Sequence, residues 1–175
     1  MGMTTHIYLI GMMGSGKSVT GKRLAAMLGR DFADLDAVLE QKSAMTIPEI
    51  FAQKGEAFFR DQETLVLREA SAQSPGRVFA TGGGIILRPE NAELMRKTGT
   101  AVYLRASVDV LWDRVKDKGH RPLLEVPDPK AALREILSKR RELYEKSCSV
   151  NVLTDGKTAE EVAREIVGLL GGKMP

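Results

Sequence analysis

The segment Gly11-Met12-Met13-Gly14-Ser15-Gly16-Lys17-Ser18 constrains this chain more than any other. It has the form G-x-x-x-x-G-K-[ST], follows the apolar run His6–Ile10, and precedes residues 19–28, which can form a helix. Strand, loop and helix in that order are what a phosphate-binding loop requires. Its glycines let backbone N–H groups curl against a polyphosphate, and the N-terminus of the following helix adds partial positive charge. In such a loop Lys17 reaches the β- and γ-phosphates, while the Ser18 hydroxyl ligates Mg²⁺. Gly14, Ser15, Gly16 and Val19 belong to the same cradle. The motif predicts a nucleoside-triphosphate site.

A chain of 175 residues suits a single domain, here residues 1–175, and buries enough surface to fold without disulfide or metal. Cys148 is the only cysteine, which excludes an internal disulfide and a thiolate zinc site and fits a reducing compartment. The formal net charge of +3 comes from interleaved acids and bases, as in Lys139-Arg140-Arg141-Glu142. No basic arm or aromatic–basic face stands out, so nucleic acid is not an expected partner. No apolar stretch approaches the ~20 residues that span a bilayer, and no membrane association is expected. The reading is a cytoplasmic protein, expected to be a monomer.

Apolar runs of strand length alternate with amphipathic stretches: residues 6–10, 31–35, 77–81, 101–105 and 149–153. After the last, Val162, Ile166, Val167 and Leu170 recur at helical spacing. Thr46-Ile47-Pro48-Glu49 reads as a helix start with its own cap, and Ser107 caps a helix over residues 108–118. This α/β alternation predicts a five-stranded parallel sheet flanked by helices on both faces. Ligands of such sheets gather at the carboxyl ends of the strands. There the sequence places the phosphate loop, then Asp34-Leu35-Asp36, then Thr81-Gly82-Gly83-Gly84. Asp34 and Asp36 are the acids placed to serve a metal and an attacking hydroxyl, although either could simply cap the helix that follows. Consecutive glycines after a strand mark close approach of the backbone to something, or a plain flexible turn. Residues 118–130 hold Gly119, Pro122, Pro127 and Pro129 together with apolar Leu123-Leu124, a composition that suits a lid packing only over bound ligand.

The ordered set resembles the shikimate kinase family. It comprises Gly11 to Ser18, Asp34-Leu35-Asp36, Phe59-Arg60 followed by Glu63, Gly82-Gly83-Gly84, Arg121-Pro122-Leu123-Leu124, and Lys139-Arg140 with Tyr144. The resemblance implies a P-loop NTPase fold of the nucleoside-monophosphate-kinase type. It also implies transfer of the γ-phosphoryl of ATP to the 3-hydroxyl of shikimate, with Mg²⁺ as cofactor and two small-molecule substrates as partners. By the same resemblance Arg60 and Arg140 clamp the substrate carboxylate, and Asp36 takes the proton of the attacking oxygen. Gly82, Gly83 and Gly84 line the pocket where side chains would meet substrate, Arg121 reaches the transferring phosphate, and Arg114 packs on adenine. The loop 154–157, ending in Lys157, is the expected base loop. Each arginine also has a plainer reading: Arg60 as half of a solvated helix pair with Glu56, Arg140 as part of an exposed charge run. Trp112 and Tyr144 read as core.

One departure concerns the metal. The strand over 77–81 ends without a carboxylate, so Mg²⁺ is expected to rest on Ser18, the phosphates and water, with Asp34 acting through water. Two other functions fit the fold: another small-molecule kinase, such as a gluconate kinase, or a non-catalytic ligand-binding module. The paired acids and triple glycine favour shikimate over gluconate. A module would have lost Lys17, Asp36 or an arginine, and all are present.

Overall fold

A computed structural model of the chain describes residues 5–119 and 122–171. Five strands form one parallel sheet: β1 (His6–Ile10), β2 (Phe32–Asp34), β3 (Val78–Ala80), β4 (Gly99–Arg105) and β5 (Val150–Leu153), in the order β2-β3-β1-β4-β5. Each falls within two residues of its expected position. Every connection is a crossover through helix, because parallel neighbours cannot be joined by a tight turn. The seven α-helices among the described residues are α1 (Lys17–Leu28), α2 (Leu35–Ser43), α3 (Ile47–Ser71), α4 (Pro89–Thr98), α5 (Val108–Val115), α6 (Pro129–Ser147) and α7 (Ala159–Leu169).

Strand side chains alternate between two apolar layers. Ile7 and Leu9 of β1 join Val78, Val102, Leu104 and Val152 beneath α1 and α7. Tyr8 and Ile10 face the opposite way, into a layer with Phe79, Ala101 and Tyr103 that α2, α3 and α4 cover. A third cluster of Met12, Leu111, Val115, Leu133 and Leu137 packs α5 against α6 beside the phosphate loop, with Trp112 half-buried at its margin. Tyr144 is fully buried, as its apolar setting predicts.

Helix ends follow their sequence signals. Thr46 and Glu49 form a reciprocal capping box, and the Ser107 side chain accepts from Val110 N. α5 stops at Val115, short of the expected residue 118, because Lys118 N turns back onto the Val115 carbonyl in a tight closing turn. Gly55 adopts φ 83°, ψ 170°, which breaks α3 one turn before Arg60. The upshot is that β1, β2 and β3 deliver the phosphate loop, the aspartates and the glycine turn to one rim of the sheet.

Candidate active site

The phosphate loop leaves β1 and enters α1 through Gly16, whose left-handed φ of 91° makes it the helix N-cap. The Lys17 ammonium bonds the carbonyls of Gly11 (2.8 Å) and Met12 (3.0 Å), so it bridges the loop it belongs to. Ser18 Oγ donates to the Asp34 carboxylate. Asp34 is also the N-cap of α2, accepting from Asp36 N at 3.1 Å. Capping and contact with the loop serine are thus one arrangement: the cap fixes the carboxylate, and the fixed carboxylate faces Ser18.

Asp36 sits in the first turn of α2, where the chain brings it toward Glu63 of α3. Burial, then the neighbouring Glu63 and Asp34 charges, push its carboxyl up to about 7, against the opposing pull of Lys17. Glu63 is 4% exposed, and burial raises its carboxyl too, against the attraction of Arg60. Glu63 Oε2 accepts from Arg60 at 2.8 Å, while Oε1 is buried without a hydrogen-bond partner. The Glu63 charge thus adds to burial in disfavouring ionisation of Asp36.

Arg60 is only 8% exposed. It does pair with Glu56, at 3.0 Å, but the addition of Glu63 and the Phe59 ring, 5.0 Å below its guanidinium, makes it a fixed interior group instead of a solvated helix pair. Arg140 is equally buried and donates to the Gly83 carbonyl at 3.4 Å, so the exposed-face reading fails for it as well. Both guanidinium groups line the same cleft. Fixed forks of this kind match carboxylate geometry through parallel hydrogen bonds.

The glycine turn has a cause that the sequence reading placed elsewhere. A Cβ on Gly82 would lie 2.3 Å from Glu63 Oε1 and 2.8 Å from Asp36 Oδ1, and one on Gly84 would lie 2.2 Å from an Arg60 nitrogen. The space is therefore needed first by the protein's own charged side chains, before any collision with substrate. At Gly83 a Cβ would make only ordinary contact with the phosphate loop, 3.5 Å from Met13 N.

On the far side, Arg114 donates to Gly14 O (3.3 Å), Thr154 Oγ1 (3.2 Å) and Thr154 O (3.3 Å), tying the phosphate loop to the loop after β5. Asp155 accepts from Ser107 N at 3.0 Å and anchors that same loop to the start of α5. Lys157 pairs with Glu165 at 2.6 Å. Gly14, Ser15, Gly16, Lys17, Ser18, Val19, Asp34, Asp36, Arg60, Gly82, Gly83, Gly84, Arg114, Arg140 and Lys157 all line a single cleft of about 710 Å³. Arg121 lies outside the described residues, between Lys118 and Pro122, which also line the cleft. Glu63, part of the ordered sequence set but given no role there, also lines the cleft. The three-residue interval from Arg60 puts both on one helix face, which is the local signal for their pairing.

The arrangement unites an anion cradle, a pair of cationic forks and an acid of near-neutral pKa in one cavity. A family model described as shikimate kinase matches residues 13–170. A shikimate kinase of Thermodesulfovibrio yellowstonii is 44% identical over 162 residues, covering 93% of this chain and 92% of that protein. The solved structure of shikimate kinase from Acinetobacter baumannii in complex with shikimate is similar at a TM-score of 0.93 and 38% identity, over 97% of this chain and 94% of that one. A gluconokinase from Sinorhizobium meliloti has a TM-score of 0.61 at 20% identity, over 96% of this chain and 92% of that one; the likeness is one of fold alone.

Proposed function

The chain belongs to the shikimate kinase family, and from that premise we propose how its cleft moves the γ-phosphoryl of ATP onto the 3-hydroxyl of shikimate. The observation that carries the reading is the single cavity lined at once by the phosphate loop, Asp36, Arg60 and Arg140. The triphosphate lies along Gly14 to Val19, its β- and γ-oxygens met by Lys17. Arg114 and Lys157 border the base. Arg60 and Arg140 take the shikimate carboxylate, which turns the ring hydroxyls toward Asp36.

Asp36 accepts the proton of the 3-hydroxyl as that oxygen bonds to the γ-phosphorus. The bond from γ-phosphorus to the bridging oxygen breaks, and ADP departs with the electron pair. A base poised near neutrality suits this transfer, and the pressure of Glu63 and Asp34 on Asp36 supports the assignment. Lys17 compensates the charge that builds on the leaving oxygens. Arg121 is assigned to the transferring phosphate on the resemblance alone, within a lid over residues 118–130 that closes water out.

The residues present suit Mg²⁺. Ser18 and Asp34 already meet at the loop, and no group of three or more His, Cys, Asp or Glu side chains fit for a metal occurs among the described residues. Magnesium favours such sparse sites, keeping several waters and borrowing phosphate oxygens. Ser18 would hold it directly and Asp34 through water, and it would supply neutralising charge at the phosphates. One protomer provides both halves of the cleft, which supports a monomer of one kinase domain over residues 1–175. We place it in the cytoplasm: no described helix is long and apolar enough to cross a membrane, and its lone cysteine suits a reducing compartment.

The test is ADP release in a coupled assay with Mg·ATP and shikimate, gluconate or no acceptor. ADP should appear with shikimate and not with the other two. Faster turnover of gluconate would replace this reading with the sugar-acid kinase.

A further inference from the structure

Tyr144 lies at the back of the cleft, fully buried near the end of α6, with its ring stacked on Tyr103 of β4 at 4.9 Å and 19°. Its hydroxyl donates to the Gly83 carbonyl and lies 3.8 Å from the sulfur of Met12 in the phosphate loop. One helical turn earlier, Arg140 donates to the same carbonyl at a long 3.4 Å. A Cβ added to Gly83 would come to 3.5 Å from Met13 N and 3.6 Å from Gly11 O, so the turn lies beside the phosphate loop. A single carbonyl oxygen is therefore shared between a cationic fork that faces ligand and a phenol that does not. Burial also pushes the phenol's pKa up, so it remains a donor throughout the working pH range.

That sharing raises a question of supply. When Arg140 turns its N–H groups to a ligand carboxylate, the half-buried Gly83 carbonyl in the cleft wall loses one donor. A partly buried carbonyl that a bound ligand would cover is costly to leave unpaired, and without a second donor the turn would either reorient or keep hold of Arg140. Tyr144 removes that conflict. We propose that Tyr144 is a positioning residue for the acceptor substrate: it holds the Gly83 carbonyl, so that the glycine turn keeps its orientation and Arg140 is free to bind the carboxylate.

The inference rests on the reading of Arg140 as a carboxylate clamp, and its test separates the two. Tyr144→Phe in the full chain keeps the ring and the stack and removes only the hydroxyl. The Michaelis constant for shikimate should rise about fivefold or more, as expected for one net hydrogen bond, while that for ATP stays within twofold. Tyr103→Phe, which alters the other ring of the same stack, should move neither. In the Arg140→Ala background the Tyr144→Phe change should raise the shikimate constant by a smaller factor, because no fork remains to be diverted. A shikimate constant within twofold of wild type, or equal rises for both substrates, or the same rise in Tyr103→Phe, overturns the proposal. Amide exchange across residues 82–85 of the wild-type chain gives an answer without substitution. Exchange unchanged or slowed by saturating shikimate supports the role, and accelerated exchange overturns it. Should wild-type protein fail to phosphorylate shikimate at all, the functional reading falls first.

Discussion

The two ends of the central sheet handle buried polarity in opposite ways. At the amino ends of the strands, His6 uses both ring nitrogens: Nε2 donates to Ser71 O at 3.2 Å and Nδ1 accepts from Arg77 N at 3.0 Å. Tyr8 shares its hydroxyl with Ser71 (2.9 Å) and Thr98 (2.8 Å). At the carboxyl ends, Asp36 and Glu63 are crowded together, one carboxylate oxygen lacks a partner, and glycines replace side chains to make room. The amino end satisfies His6 and Tyr8 with the chain's own atoms and leaves Arg77 Nε as its buried atom without a partner, whereas the carboxyl end gathers charged groups around a cleft. Local stability is highest where demands are met internally, and chemistry sits where they are not.

This contrast can be broken at several points. Lys17→Ala removes a point charge from the phosphates and should cut kcat by about a thousandfold or more, with the melting temperature little changed; a variant within tenfold of wild type would end the assigned role. Asp36→Asn should lower kcat by about a hundredfold or more and yet stabilise the ligand-free protein. The sign follows from its raised pKa. The unfolded carboxyl ionises near 3.8 and the folded one only near 7, so ionisation opposes folding increasingly across that window and fully above it. Thermal melts should show the gap between Asp36→Asn and wild type widening from pH 4 to pH 7 and then holding level. Arg140→Ala should raise the shikimate Michaelis constant about 10–150-fold, the equivalent of ~1.5–3 kcal/mol, in steady-state kinetics at saturating ATP.

The opposite end yields the smallest catalytic effect. His6→Gln should lose ~1–3 kcal/mol of stability in denaturant melts and leave kcat within twofold. Burial holds His6 below its usual 6.5, so the unfolded state takes up the proton first, and wild-type stability should fall as pH drops below 6.5. The His6→Gln chain should lack that contribution to the slope. A loss of activity matching the loss of stability would erase the distinction between the two ends.

The strands and the phosphate loop were legible because each has a local signature: a short apolar run, a fixed pattern of glycines, a capping pair such as Thr46 and Glu49. Asp34 is legible as either cap or metal-side acid; the cap is observed in the bond from Asp36 N, while its other oxygen accepts from Ser18. What stayed hidden depends on contacts between distant segments. Nothing local to Glu63 says that its carboxylate faces Asp36 of another helix. The break at Gly55 is equally silent, since a lone glycine inside a helical pattern is tolerated more often than not. In the sequence the glycine turn is either a close approach to something or a plain flexible turn, and only the packing of Arg60 and Glu63 against it reveals the nearer reason.

The buried Arg60 has a consequence for how small a molecule this cleft can grip. Two glutamates and an aromatic ring have already frozen its long side chain, so the roughly 2 kcal/mol of rotamer freedom that an arginine carries is surrendered during folding. Three of its bonds run to those glutamates, and the remaining N–H groups stand ready in a rigid plane. A ring acid of a dozen heavy atoms offers little apolar area with which to offset the ordering of a flexible host. Under the proposed reading the host arrives already ordered, so a handful of directed contacts would suffice to hold a compact, well-hydrated metabolite.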